Sequence, residues 1–256
     1  MTVHCLSIKG HILSKMIRQF LVLICMACSL SAWGQRVTAA ETWEEQAKTN
    51  IRLLPKYGYK VKTEEQKQID QKFVSETLKQ LEYEGDRVAA SGDMIKTGFS
   101  YLGKNDLKTA MYRFNQAYLL DSTNADIYWG FGAVYMALGA FDKAQQQYLD
   151  GLKAAPRNTH LLTEYASYFM AQYYGLQSLD AKNALVNLDS AMSYLNRSYA
   201  IDPKDENTTF RLSVCYWLKG KCKEAWRYYN ECKALGGLPI TDEYTANLTE
   251  KCKPTE

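Results

Sequence analysis

A period of 34 residues constrains this chain more than any other feature. From Ala125 to Asn158 the chain runs Tyr128, Phe131, Gly132, Tyr135, Gly139, Ala144, Tyr148, Gly151 and Pro156, a fixed order of large and small side chains ending in a proline. Gly98, Tyr101, Ala110, Phe114, Ala117 and Ser122 stand 34 residues before Gly132, Tyr135, Ala144, Tyr148, Gly151 and Pro156. Residues three and four apart share a helix face. The order therefore predicts two antiparallel helices, brought close by Gly132 on one and by Ala144 and Gly151 on the other. The aromatics fill the gaps around those small residues. Such a pair cannot bury its apolar faces alone, so neighbouring pairs must stack on it.

The same order continues downstream. Tyr165, Ala166 and Phe169 fall 34 residues after Phe131, Gly132 and Tyr135. The register then slips: Ala191, Leu195, Ser198 and Pro203 lie 47 residues after their counterparts, an insertion of 13. Gly175 to Asp180 reads as a longer loop, with an extended second helix from Ala181. Leu212, Ser213, Tyr216, Gly220, Ala225, Tyr229 and Cys232 restore the frame. The repeat boundaries are 91–124, 125–158, 159–205 and 206–237. Gly236-Gly237 ends the last pair. Thr241 can then cap a closing helix to about Lys251, within a polar tail of 238–256.

This spacing resembles the tetratricopeptide repeat, whose order is W-x2-L-G-x2-Y, then A-x3-F, then P. Tyr128 stands for the Trp and Phe131 for the Leu. The resemblance covers about residues 91–252 and implies an all-α, right-handed superhelical solenoid of antiparallel helix pairs. It further implies a concave side lined by the first helix of each pair. Carried onto this chain, the lining positions are Ile95, Phe99 and Leu102; Asp126, Trp129, Ala133 and Met136; His160, Thr163, Ser167 and Met170; and Asn207, Phe210, Val214 and Trp217, with Arg211 beside them. Members that clamp a peptide's terminal carboxylate use lysine and asparagine at places held here by Ile95, Phe99 and Ala133, so that clamp is not expected.

What the resemblance implies is a non-enzymatic scaffold or adaptor for a protein or peptide, gripped by Phe99, Trp129, Met136, Phe210, Arg211 and Trp217. A large apolar surface left open marks an interaction site. Two alternatives stand beside it. Aromatics can stack on sugars, which gives a glycan-binding envelope module. Or the groove is filled by the chain's own N-terminal arm, or by a second copy, in a structural or self-associating protein.

The beginning of the chain carries no acid before Glu41. Lys15 and Arg18 precede the apolar run Phe20 to Ala27, followed by Ala32-Trp33-Gly34. That order reads as a secretory signal peptide over 1–34, with Met16 a natural start and 1–15 an upstream misassigned one. The run is too short to span a bilayer. Acylation at Cys25 or Cys28 is disfavoured, since Ile24 is large where a small residue is wanted. The expected location is periplasmic or secreted. Removing 1–34 takes away Lys9, Lys15 and Arg18 and leaves 28 basic and 28 acidic residues. A balanced chain lacks the basic excess of a nucleic-acid binder.

Residues 35–62 show no clear period but hold Trp43, Ile51, Leu53, Leu54, Tyr57 and Tyr59. A disordered linker rarely carries so many large apolar groups. The arm lies either outside the array or in its groove. Thr63 with Gln66 forms a capping box, and Ile69, Phe73, Leu78 and Leu81 mark one face of a capping helix and lead-in over 63–90. Asp86 is a good N-cap for an early start to the first repeat.

Cys215, Cys222, Cys232 and Cys252 survive export, into a compartment that permits disulfides. Cys232 takes the small buried position of Ala117, Gly151 and Ser198. Cys222 opens a second helix and Cys252 ends the closing helix antiparallel to it, so a Cys222–Cys252 bridge is expected. His160 is the one histidine after residue 34. Triads and histidine metal sites have too few ligands here, and no metal or cofactor is expected. Gly130-Phe131-Gly132 falls inside a helix and is no phosphate loop.

Overall fold

Most helices begin where a side chain can cap them. The computed structural model describes residues 38–80 and 83–253, and within these the chain forms eleven α-helices and no strand. Thr38 and Thr63 form capping boxes with Glu41 and Gln66, opening α1 (Ala39–Thr49) and α2 (Glu64–Leu78). Asp86 accepts from the amides of Val88 and Ala89 and starts α3 (Arg87–Gly103), four residues before the first repeat boundary. Asp106 caps α4 (Leu107–Leu120). The pairs α5 (Asp126–Ala137) with α6 (Phe141–Ala154), α7 (Thr159–Leu176) with α8 (Ala181–Ile201), and α9 (Glu206–Leu218) with α10 (Cys222–Leu235) follow. Thr241 caps the closing helix α11 (Asp242–Lys251). The predicted signal peptide and its cysteines lie outside the described residues.

Within each pair the two helices pack on one another, and successive pairs stack in series. The glycines show why they are needed. A Cβ on Gly132 would sit 2.5 Å from Cε1 of Tyr148, and one on Gly98 2.5 Å from Cε1 of Phe114. A Cβ on Gly130 would meet that same Phe114 ring, 2.3 Å from Cδ1. One fully buried phenylalanine is thus held between glycines of two successive first helices. Gly151 meets Leu161 and Tyr128, each at 2.8 Å. Ala110, Ala144, Ala191 and Ala225 are all fully buried, as the repeat order requires. The main core runs from Ile95 to Tyr168, and a second around Leu188, Leu195 and Leu212 continues it.

The insertion is placed differently from the sequence expectation. Gly175 lies inside α7, and the connection to α8 is only residues 177–180. Both helices of the third pair are lengthened, to 18 and 21 residues. Shared lengthening keeps every added backbone group hydrogen-bonded, which a long loop would not.

The described part of the arm packs outside the array, against the second helices α4 and α6. Trp43 and Leu53 are buried there, and the Trp43 indole N–H donates to the Leu53 carbonyl at 3.1 Å. Asn115, fully buried on α4, donates to the carbonyls of Arg52 and Leu54 at 2.9 and 3.0 Å. Glu44 pairs with Lys143 on α6 at 2.7 Å. Of the two places open to the arm, outside the array or in its groove, residues 38–60 take the outer side. The arm's polar carbonyls need buried donors, and Asn115 offers them on the outer side.

Lys56, Tyr57, Gly58 and Tyr59 form a left-handed turn, with φ of 53°, 58°, 64° and 53°. That region costs non-glycine residues about 1–2 kcal/mol each. Burial of Tyr57, the Lys62 ammonium 3.2 Å above its ring, and a hydrogen bond from Lys56 to the Tyr128 hydroxyl offset that cost. Along α2, Phe73, Val74 and Leu78 pack on Tyr83, Ala90 and Leu120. Ile69, expected on that face, is 60% exposed instead.

Candidate functional site

The first helices α3, α5, α7 and α9 carry the side chains expected to line an inner wall, and these divide into two unlike halves. In the N-terminal half, Phe99 lies 4.1 Å from Trp129 between ring centroids and 5.1 Å edge-on from Phe114. Trp129 in turn lies 5.1 Å from the His160 ring. Phe99, Trp129 and Met136 are half-buried and packed on the main core. Ile95 is buried outright. This half is a continuous ladder of ring contacts, with His160 at its exposed end.

His160 Nδ1 lies 3.0 Å from the Asp126 carboxylate, which also accepts from Asn158 at 2.8 Å. Desolvation pushes the Asp126 carboxyl up, but the hydrogen bonds from His160 and Asn158 outweigh it and hold the group below its ordinary value. The hydrogen bond to Asp126 holds the His160 imidazole above its own, against partial burial.

The C-terminal half is open. Met170, Tyr174, Phe210, Val214, Trp217 and Tyr244 line a cleft of about 830 Å³ between α7, α9 and α11. Its floor is set by Tyr244, whose ring meets Phe210 at 5.2 Å and Trp217 at 6.0 Å, both edge-on. The Tyr244 hydroxyl is fixed by Ser213 at 2.6 Å, and the Ser213 hydroxyl also reaches the Ala225 carbonyl at 2.7 Å. Trp217 has the Lys251 ammonium 4.9 Å from its ring, and the same ammonium donates to the Trp217 carbonyl at 2.9 Å. The Trp217 indole N–H is enclosed and has no hydrogen-bond partner among the described residues. Arg211 pairs with Glu164 across 47 residues at 2.9 Å. Burial pushes the Glu164 carboxyl up, and Arg211 pulls it back.

Of the residues expected to grip a partner, the structure brings Phe210, Arg211 and Trp217 into this cleft, leaves Phe99 and Trp129 in the ladder, and packs Met136 on the main core. Thr163, expected on the wall, is 2% exposed. Thr163 instead joins a buried hydroxyl cluster with Ser198 at 3.0 Å and Thr208 at 2.7 Å. Helical spacing gives a face but not which edge of it faces the neighbouring helix. Sequence reasoning missed Glu164, Tyr174 and Tyr244. Tyr244 was hidden because α11 reads as a polar cap, and Tyr174 because the insertion was read as loop.

Cys222 and Cys252 are joined in the structure, with Cα atoms 5.2 Å apart. The link ties the first turn of α10 to the end of α11, and the Trp226 indole N–H donates to the Cys252 carbonyl at 2.7 Å. Cys215 and Cys232 are buried free thiols. Burial pushes the Cys215 thiol up to about 12, so it stays protonated near neutral pH and is a packing group. Among the described residues, no three or more His, Cys, Asp or Glu side chains gather to hold a metal ion. No helix among them is long and apolar enough to cross a membrane.

Residues 101–163 match the family model of the tetratricopeptide repeat. The chain is similar in structure to a thermophilic TPR protein of Thermus thermophilus, at 17% identity and a TM-score of 0.52. That likeness covers 63% of this chain and 80% of that one. It is also similar to MamA, at 15% identity, a TM-score of 0.41, and 73% and 98% of the two chains. PilF of Pseudomonas aeruginosa aligns at 17% identity with a TM-score of 0.34, over 64% and 85%. A comparison with curated proteins finds no match. At its identity the likeness to the Thermus thermophilus protein speaks for the fold alone, a solenoid of helix pairs.

Proposed function

We propose that this chain is a non-enzymatic scaffold that holds a segment of a protein or peptide in the cleft between α7, α9 and α11. The observation that carries the reading is the cleft itself: about 830 Å³ lined by Met170, Tyr174, Phe210, Trp217 and Tyr244, beside a ladder whose Phe99 and Trp129 pack on the main core. Buried aromatic area would supply affinity, since Trp and Tyr dominate binding hot spots. The Arg211–Glu164 pair and the amides of Asn207, Gln177 and Asn247 would supply direction. The Cys222–Cys252 link would hold α11, and with it Tyr244, in place as the floor. We place the protein in the exported envelope compartment, where that link would persist.

The test is a photo-crosslinking residue at Ala171, which lines the cleft, against one at Gln147 on the outer side. Partner adducts form from Ala171 and disappear in a Phe210→Ala, Trp217→Ala variant that keeps its helicity. Equal adducts from both positions, or adducts that survive the double substitution, would move the site elsewhere.

A further inference from the structure

The cleft does not end at its aromatic lining. Toward the start of α9 it runs into a second hollow lined by Thr159, His160, Asp202, Lys204, Asp205 and Glu206, and the two share Asn207 and Pro239. The continuous surface therefore has an apolar end and a charged end. Asp202, Asp205, Glu206 and Glu243 line it, against Lys204 and Arg211. Arg211 is engaged by Glu164 and His160 by Asp126, so neither has its charge to spare. Lys251, the other base near Trp217, is not among the lining residues. What remains is a surplus of carboxylates at one end of an apolar cleft.

Those carboxylates are fixed. Asp205 accepts from the amides of Asn207 and Thr208 at 3.1 Å each, and Glu206 from the Leu238 amide at 3.0 Å. Asp202 accepts from the Lys204 amide at 2.9 Å. Charges fixed in advance cost little ordering entropy when a counter-charge arrives, and they exclude a like charge. An acidic segment laid along this surface would bring its carboxylates against Asp202, Asp205 and Glu206 with Lys204 alone to set against them.

Resting on the reading above, we propose that the segment bound here is basic. An aromatic or branched apolar side chain fills the space between Met170, Phe210 and Trp217, and Lys or Arg side chains beside it lie over Asp202, Asp205 and Glu206. The recognised chemistry is an apolar anchor with a positive flank, the reverse of a clamp for a peptide carboxylate.

The probe is a random peptide library selected on the full chain, with the Phe210→Ala, Trp217→Ala variant as counter-target. Enriched peptides carry an apolar anchor flanked by Lys or Arg and fail on the counter-target. One such peptide is then compared by anisotropy with a copy whose basic residues are Glu. The basic form binds at least about tenfold tighter at low salt, and the gap narrows as salt screens the exposed charges. Asp202→Asn with Glu206→Gln, which keep the acceptor atoms, cut that preference about three- to tenfold. Enriched peptides that are neutral or acidic yet still lost on the counter-target overturn the basic partner and leave the cleft standing. Peptides that bind the counter-target equally, or no enrichment at all, overturn both.

Discussion

The two halves of the inner wall are built from the same repeat and end up opposite in character. In the N-terminal half, Phe99, Trp129 and His160 stack on one another, and Phe114 behind them is held between Gly98 and Gly130. In the C-terminal half, Phe210 and Trp217 meet the Tyr244 ring of α11 edge-on, Lys251 of the same helix lies by Trp217, and the space in front stays open. The difference comes from spacing in the third dimension. Glycines draw the first pairs together until their aromatics touch. In the later pairs α7 and α9 meet through Thr163–Thr208 and Glu164–Arg211, and the cleft opens beyond these contacts, toward α11. A repeat array can thus divide labour along its length: one half is given to cohesion, the other kept for contact.

The sharpest way to break this comparison is to release the end of the open half. Replacing Cys222 and Cys252 by serine removes a link across 30 residues. It should cost about 3–4 kcal/mol by loop-closure arithmetic. Hydrogen exchange should quicken in α11 and the end of α10 and leave α3 to α6 unchanged. Uniform quickening would mean that the halves are not separate in stability.

The next test strikes the closed half. Gly130→Ala drives a methyl into the buried Phe114 ring, and the overpacking penalty of about 1–3 kcal/mol outweighs the gain in helix propensity. Gly175→Ala on the lengthened α7 meets nothing within 4 Å, so it should be neutral or raise the melting temperature slightly. Equal melting shifts would remove the claim that close approach is confined to the first pairs.

Two tryptophans sharpen the contrast further. Trp129→Ala deletes the middle rung of the ladder and should cost about 2 kcal/mol in chemical denaturation while leaving peptide binding intact. Trp217→Ala should do the reverse, with the larger loss in binding. A swap of these outcomes would exchange the roles of the halves.

The smallest effect is one of pH. His160 is raised in the folded chain, so its contribution is complete below its ordinary 6.5 and is lost as pH climbs through the raised value. Asp126 is lowered, so its contribution is complete above its ordinary 3.8 and is lost as pH falls through the lowered value. Together they give a shallow plateau between, with Asp205 and Glu164 also favouring the protonated imidazole. Asp126→Asn should flatten the alkaline side of that plateau and bring the His160 NMR titration back down. Unchanged titration would leave the pair without electrostatic effect.

Much of this was legible in the chain. The 34-residue order placed the helix pairs and assigned Gly132 to a crossing, because the absence of a side chain is a local fact with one structural use. Caps at Thr63, Asp86 and Thr241 were equally local. Reading failed where a choice depended on what lay across the gap. Phe99 and Phe210 belong to the same inner face by repeat order, yet one is a rung of the ladder and the other a wall of the cleft. Glu164 finds Arg211 only because two first helices come side by side. The arm's carbonyls go to Asn115, a partner 61 and 63 residues away.

By itself, then, the sequence determined the unit: two helices, their closeness, and the need for neighbours, all set by side-chain size at fixed intervals. Tertiary structure alone decided how far apart successive units stand, and so which aromatics fill one another's space and which face an open cleft. Size and period can be read along a single line of residues. The distance between two first helices depends on everything packed behind them.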